Sequence, residues 1–186
     1  MKIIPLHTSQ KSRIKKAIRH DREAQKEIFD QFSPKMLGVC RQYVKDNHHA
    51  EELMLSGFLK VFTNLQKFKH EGSFEGWIRR IMVNTCLSYL RKKNPIKPTD
   101  EEYVYHDYAT LSLENTSVND IQKLIDSLPD GYKMVFNLFA IEGYKHSEIA
   151  EELGITVSTS KSQLFKARKW LQENYIKMNQ ISHGSK

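Results

Sequence analysis

Cysteine is nearly absent: there are two in 186 residues, Cys40 and Cys86, each inside an apolar helical pattern. With no CxxC or Cys/His cluster nearby, a disulfide framework is excluded and buried reduced thiols are the expected state. No window approaches the roughly 20 apolar residues that a membrane helix needs. The apolar run in MKIIPLHTSQKSR is too short for a signal peptide, so the chain is expected in the cytoplasm, without membrane insertion. Nothing alternates as strands do, which makes the expected fold class all-α. A glycine-rich phosphate loop and a GxSxG elbow are missing, and no carboxylate pair lacks a simpler explanation, so an enzyme is not expected. Of the eight histidines, His48 and His49 are adjacent and the rest scattered, so neither a metal nor a cofactor is expected.

What the chain does have is an excess of positive charge. Lys and Arg outnumber Asp and Glu by 29 to 22, a formal charge of +7, which suits a polyanionic partner.

The most informative stretch is GYKHSEIAEELGITVSTSKSQLFKARKWLQ, from Gly143 to Gln172. Ile149, Ala150 and Leu153 give a short first helix over Ser147 to Leu153, and Gly154 offers the left-handed stop that other residues resist. Thr156 is placed to cap a second helix. There Val157, Leu164, Ala167 and Leu171 predict the inward stripe, and Thr159, Ser162, Gln163 and Lys166 the outer side, bordered by Lys161, Phe165 and Arg168. An acid-free face of Lys, Ser, Gln and Thr can lie against phosphates and offer donors to base edges. The pattern is that of a helix-turn-helix.

Upstream, Lys11 to Phe32 predicts one or two helices with Asp21 as a cap, and Pro34 opens the next. Asn47 is placed to cap a helix carrying Ala50, Leu53, Met54, Phe58, Val61, Phe62 and Leu65. After a loop from Lys67 to Gly72, Ser73 caps FEGWIRRIMVNTCLSYLRKK. Asn94 to Thr116 then holds two prolines and five acids, Asp100, Glu101, Glu102, Asp107 and Glu114, without helical period, and marks a flexible acidic linker. The acids read either as a solvated spacer or as a nucleic-acid mimic. A second helical block starts at Ser117, Pro129 ends its first helix, and Tyr132 to Ile141 forms the next. The expected layout is therefore two small helical domains, residues 1–93 and 117–178, joined by a linker over 94–116 and followed by a disordered tail, 179–186.

AEELMLSGFLKVFTNLQKF with SFEGWIRRIMVNTCLSYLRKK resembles region 2, and LPDGYKMVFNLFAIEGYKHSEIAEELGI with KSQLFKARKWL resembles region 4, of the extracytoplasmic-function (ECF, group 4) sigma-70 family. The resemblance runs from about Arg19 to Tyr175. It implies a factor that binds core RNA polymerase, directs it to promoter DNA and opens the duplex, with no catalysis and no cofactor. Carried over by position, Lys161, Ser162, Gln163, Phe165, Lys166 and Arg168 would read the upstream (-35) element. Asn64, Phe68, Lys69, Ser73, Arg80 and Asn84 would capture a flipped base of the -10 element, Phe68 by stacking, with Trp77 in the core. Glu51, Glu52, Leu55 and Phe58 would meet core polymerase. The resemblance also implies an anti-sigma factor as a candidate partner. Four positions depart from the family pattern: Leu55 and Ser56 replace a glutamine and an acid, Lys145 replaces a capping hydroxyl, and Ser160 replaces an inner-stripe valine. The rival reading is a stand-alone regulator binding operator DNA as a dimer, which leaves Phe68, Asn84 and the linker without roles.

Overall fold

The structure, a computed structural model, describes residues 10–93 and 118–183. The acidic linker, the Ser117 cap and the last three residues lie outside the described residues. Every regular element among the described residues is helical. The chain divides into two compact units, residues 1–88 and 89–186.

The first unit begins with α1 (Gln10–Ile18), which buries Ile14 and Ala17 and packs on α2 and on the 3-10 turn Leu65–Lys67. Asp21 caps α2 (Arg22–Tyr43) as expected, accepting from the Ala24 amide at 2.8 Å. Pro34 does not open an element, because α2 runs straight through it. A mid-helix proline removes one ladder bond and costs about 3 kcal/mol. Here Ile28, Phe32, Met36 and Cys40, four residues apart on both sides of it, are all buried along one continuous stripe, and that burial holds the helix together.

The cap of α3 (Asn47–Asn64) also differs from expectation. Asp46, one residue before Asn47, accepts from the His49 amide at 2.8 Å. The carboxylate is the better acceptor for amides carrying the positive end of the helix dipole. The next long helix, α4 (Phe74–Lys93), has Ser73 at its start, though the Gly76 amide reaches the Ser73 hydroxyl only at 3.4 Å. Met82 of α4 sits so close to Gly57 of α3 that a Cβ there would overlap its sulfur. Cys40 and Cys86 are buried free thiols in this core, and the Cys86 thiol is pushed up by its hydrogen bond with Cys40 and by burial.

In the second unit, α5 (Val118–Ser127) precedes α6 (Asp130–Phe136), and Lys133, almost wholly enclosed, pairs with Asp126 at 2.7 Å. The helix expected to run to Ile141 instead widens at Asn137–Ile141 into a π turn, closed by the Glu142 amide on the Asn137 carbonyl. Then come α7 (His146–Leu153) and α8 (Val157–His183). Gly154 between them takes φ 65°, in the left-handed region, and the Ile155 amide closes back on the Ala150 carbonyl at 3.0 Å. Thr156 caps α8, accepting from the Thr159 amide at 3.0 Å. The helix extends to His183, into the segment expected as a tail.

Candidate nucleic-acid interface

The first turns of α8, VSTSKSQLFKARK, hold four cations and no acid before Glu173. Lys161, Arg168 and Lys169 are exposed, and Phe165 and Lys166 half-buried. Positions 161, 165, 168 and 169 share one side of a helix, so three cations flank one aromatic ring along about 12 Å of axis at 1.5 Å per residue. This surface can lie along a phosphate track and present Phe165 to a thymine methyl. Lys169 belongs to the same side and was overlooked in the sequence, although its spacing from Lys161 and Phe165 marks it.

The outer face nevertheless needs correction. Ser162 is 1% exposed and Gln163 7%, whereas both were expected outside. The Ser162 hydroxyl turns back to donate to the Thr159 carbonyl at 3.0 Å, and Thr159 itself is folded into the cap against the Thr156 hydroxyl at 2.8 Å. Short hydroxyl side chains compete for their own backbone in this way. The Gln163 Oε1 is buried without a hydrogen-bond partner, which makes it an acceptor with unspent capacity. Val157, expected inward, is exposed, because as the first residue of α8 it precedes the turn at which the stripe meets α6 and α7.

At the start of α7, Lys145 has no acceptor side chain to cap with. Glu148 supplies the reciprocal half instead, its carboxylate accepting from the Lys145 amide at 2.7 Å.

The second region is the loop between the 3-10 turn and α4. Phe68 is buried, not offered for stacking. Its ring packs against Phe74 at 5.0 Å, Trp77 at 5.5 Å and His70 at 4.8 Å. Trp77, expected in the core, is half-buried at the margin of this cluster, its ring parallel to Phe74 at 5.9 Å. The aromatic cluster is the floor of the loop, and the side chains above it are Lys69, His70 and Ser73, all exposed. His70 was not singled out in the sequence. It holds a left-handed φ of 58° beside Gly72 at 89°, a conformation that costs a non-glycine residue about 1 kcal/mol or more; residue type alone gave no sign of it.

On α4, Trp77, Arg80 and Asn84 lie three and four apart and so share one flank. Asn84 is half-buried, and its Oδ1 is enclosed without a hydrogen-bond partner, so it can accept from a base amino group. Asn64 is less available, since its Nδ2 donates to the Lys60 carbonyl at 2.9 Å.

The third surface is on α3. Glu51 and Glu52 are exposed, as expected, and so is Leu55 at 54%. Phe58 is 2% exposed, pointing the other way against Phe29 at 4.8 Å and Phe62 at 6.0 Å; it belongs to the core and corrects the expected contact set. The residue that continues the outer stripe is Leu59, 69% exposed, four residues after Leu55 and eight after Glu51. That spacing was legible in the sequence and was passed over. Leu59 also borders a cavity of about 400 Å³ shared with Ile18, His20 and Phe62.

Comparison with known proteins bears on both units. Residues 28–96 match the family model described as Sigma-70 region 2, and residues 119–171 the one described as Sigma-70, region 4. The chain is 30% identical over 179 residues to the ECF RNA polymerase sigma factor SigW of Bacillus subtilis, covering 88% of this chain and 95% of that protein. It is 25% identical to the ECF RNA polymerase sigma-E factor of Haemophilus influenzae, covering 82% and 87%. Among solved structures, the sigma factor RpoE of Bartonella quintana, in complex with the anti-sigma factor NepR, superposes with a TM-score of 0.50 at 21% identity, over 80% of this chain and 94% of that one; this likeness concerns the fold. With a sigma region matched in each unit and a relative aligned along nearly its whole length, the chain belongs to the ECF RNA polymerase sigma factors.

Proposed function

We propose that this sigma factor meets core RNA polymerase through the Glu51, Glu52, Leu55 and Leu59 stripe of α3, and reads the upstream promoter element with Lys161, Phe165, Lys166 and Arg168 of α8. An unstacked base of the -10 element is held at the loop from Phe68 to Ser73. There Asn84 accepts a hydrogen bond, Lys69 and Arg80 hold phosphate, and Phe68 supports the loop from beneath. Gln163 joins the upstream contact only once it is uncovered, and its unpaired Oε1 favours that. The unmet polar group of Asn84 on the flank shared with Trp77 and Arg80 is the observation that best supports base capture, since a buried acceptor left empty costs about 1–3 kcal/mol. The factor works by recognition and has no catalytic group of its own, and its working compartment is the cytoplasm. A relative of similar fold forms a complex with an anti-sigma factor, which supports a similar inhibitory partner for this chain.

Run-off transcription with purified core enzyme tests the reading. Promoter-dependent transcripts are expected only when this chain is added, and their absence with folded protein across a library of promoter sequences overturns it. A gel shift separates this reading from the stand-alone regulator: tight, specific binding in the absence of core would favour that rival.

A further inference from the structure

Ser160 occupies a fully buried position on the inner stripe of α8, where an apolar side chain is the simplest filler. Its hydroxyl is met there by the imidazole of His146, with Nδ1 at 2.9 Å. His146 is the first residue of α7, so this bond ties the start of one helix of the pair to the inner face of the other. The same imidazole stacks on Phe139, centroids 4.7 Å apart and planes at 24°, and Phe139 belongs to the π turn. The Arg168 guanidinium also lies over the Phe139 ring, 5.7 Å from its centroid. One imidazole thus joins α7, α8 and the π turn around the ring on which Arg168 rests. The arrangement has a cost, because the His146 Nε2 is enclosed without a hydrogen-bond partner. An apolar pair would fill the same space without it, so what the polar pair adds is direction: a hydrogen bond fixes an angle that dispersion contacts leave loose.

We propose that His146 is a positioning residue for upstream-element recognition, fixing α7, α8 and the Phe139 platform in the arrangement that presents Lys161 and Arg168 together. The proposal rests on the reading of α8 as the helix that contacts that element. Ser160 is then half of a matched pair: with a histidine at 146, the hydroxyl at 160 is its partner.

The test uses the full chain reconstituted with core polymerase. It compares binding to a promoter with its upstream element intact against one with that element replaced. His146→Phe keeps a ring on Phe139 and removes the bond; it is expected to lower the preference for the intact promoter by roughly five- to tenfold, the worth of one hydrogen bond, with core affinity unchanged. The double variant His146→Phe/Ser160→Val removes both polar ends and is expected to regain stability, since replacing both partners is close to neutral, but not the preference, because no directed bond is restored. Ser160→Ala, which deletes only the hydroxyl, covers the case in which His146→Phe does not fold, and the same loss is expected. An undiminished preference in the folded single variants, or a double variant that recovers it, overturns the proposal. If the wild-type complex itself ignores the upstream element, the reading of α8 fails and the proposal falls with it.

Discussion

At the scale of single residues, exposure separates the side chains that can meet DNA from those that only resemble such contacts. Lys161 is exposed and Gln163 is not, so Lys161→Ala is expected to weaken promoter binding more than Gln163→Ala. As a phosphate contact, Lys161 should also carry about one unit of the slope of log affinity against log salt concentration. Titration of the promoter complex at several salt concentrations checks both, with core affinity as the control. His146 makes a second prediction. Burial first, then the positive charges of Lys161 and Arg168 from α8, hold its pKa below the ordinary 6.5. Lys145 precedes it, and Glu148, the nearest acid in α7, is already engaged by the Lys145 amide. The folded unit thus favours neutral imidazole, while the unfolded chain takes up a proton near the ordinary value. The stability this contributes is complete above that value and declines as pH falls below it. Unfolding midpoints from pH 8 to 5 should fall more steeply for the wild type than for His146→Phe; parallel profiles would remove the histidine from the account.

At the scale of elements, two glycines set how helices meet. Gly57 lets α3 approach the fully buried Met82, whose sulfur would have to shift to admit a Cβ. Gly57→Ala is therefore expected to destabilise the first unit by about 1–3 kcal/mol, the usual cost of overpacking, measured by denaturant unfolding. Gly154 meets no obstacle in space, so its requirement is conformational. Gly154→Ala forces a Cβ into the left-handed region at a cost of about 1–2 kcal/mol, and should destabilise the second unit without altering the first. The capping hydroxyl of Thr156 and the left-handed Gly154 were readable because caps and stops are local: their partners lie within five residues. Pro34 misled for the opposite reason. Proline's local preference is to begin a helix, and what overrode it was the stripe of Ile28, Phe32, Met36 and Cys40, whose burial depends on distant elements.

At the scale of the molecule, each unit bears its own surface and the function needs both. Leu55 and Leu59 leave an apolar stripe on the first unit that nothing among the described residues covers. Burying a leucine contributes about 1.5–3 kcal/mol, so Leu55→Asp with Leu59→Asp should weaken core binding by at least tenfold, read by competition against the unmodified factor. Folding should be little affected, because both side chains are already in solvent. Loss of folding, or unchanged core affinity, would show that the stripe has another role.

The sequence by itself determined the helical class, the two-part layout, the turn at Gly154 and the caps at Asp21 and Thr156, because apolar period and capping chemistry act over one or two turns. It also carried the family, since the motifs of both regions are written as contiguous strings. Only the tertiary structure decided which side chains face outward: Leu55 but not Phe58, Lys161 rather than Gln163, His70 and not the buried Phe68. Burial is a property of what packs against a helix, and one residue along a helix turns a side chain by about 100°, enough to exchange core for surface. The bond between His146 and Ser160 is of the same kind. Fourteen positions separate the two residues, and nothing in either local stretch foretells that they meet.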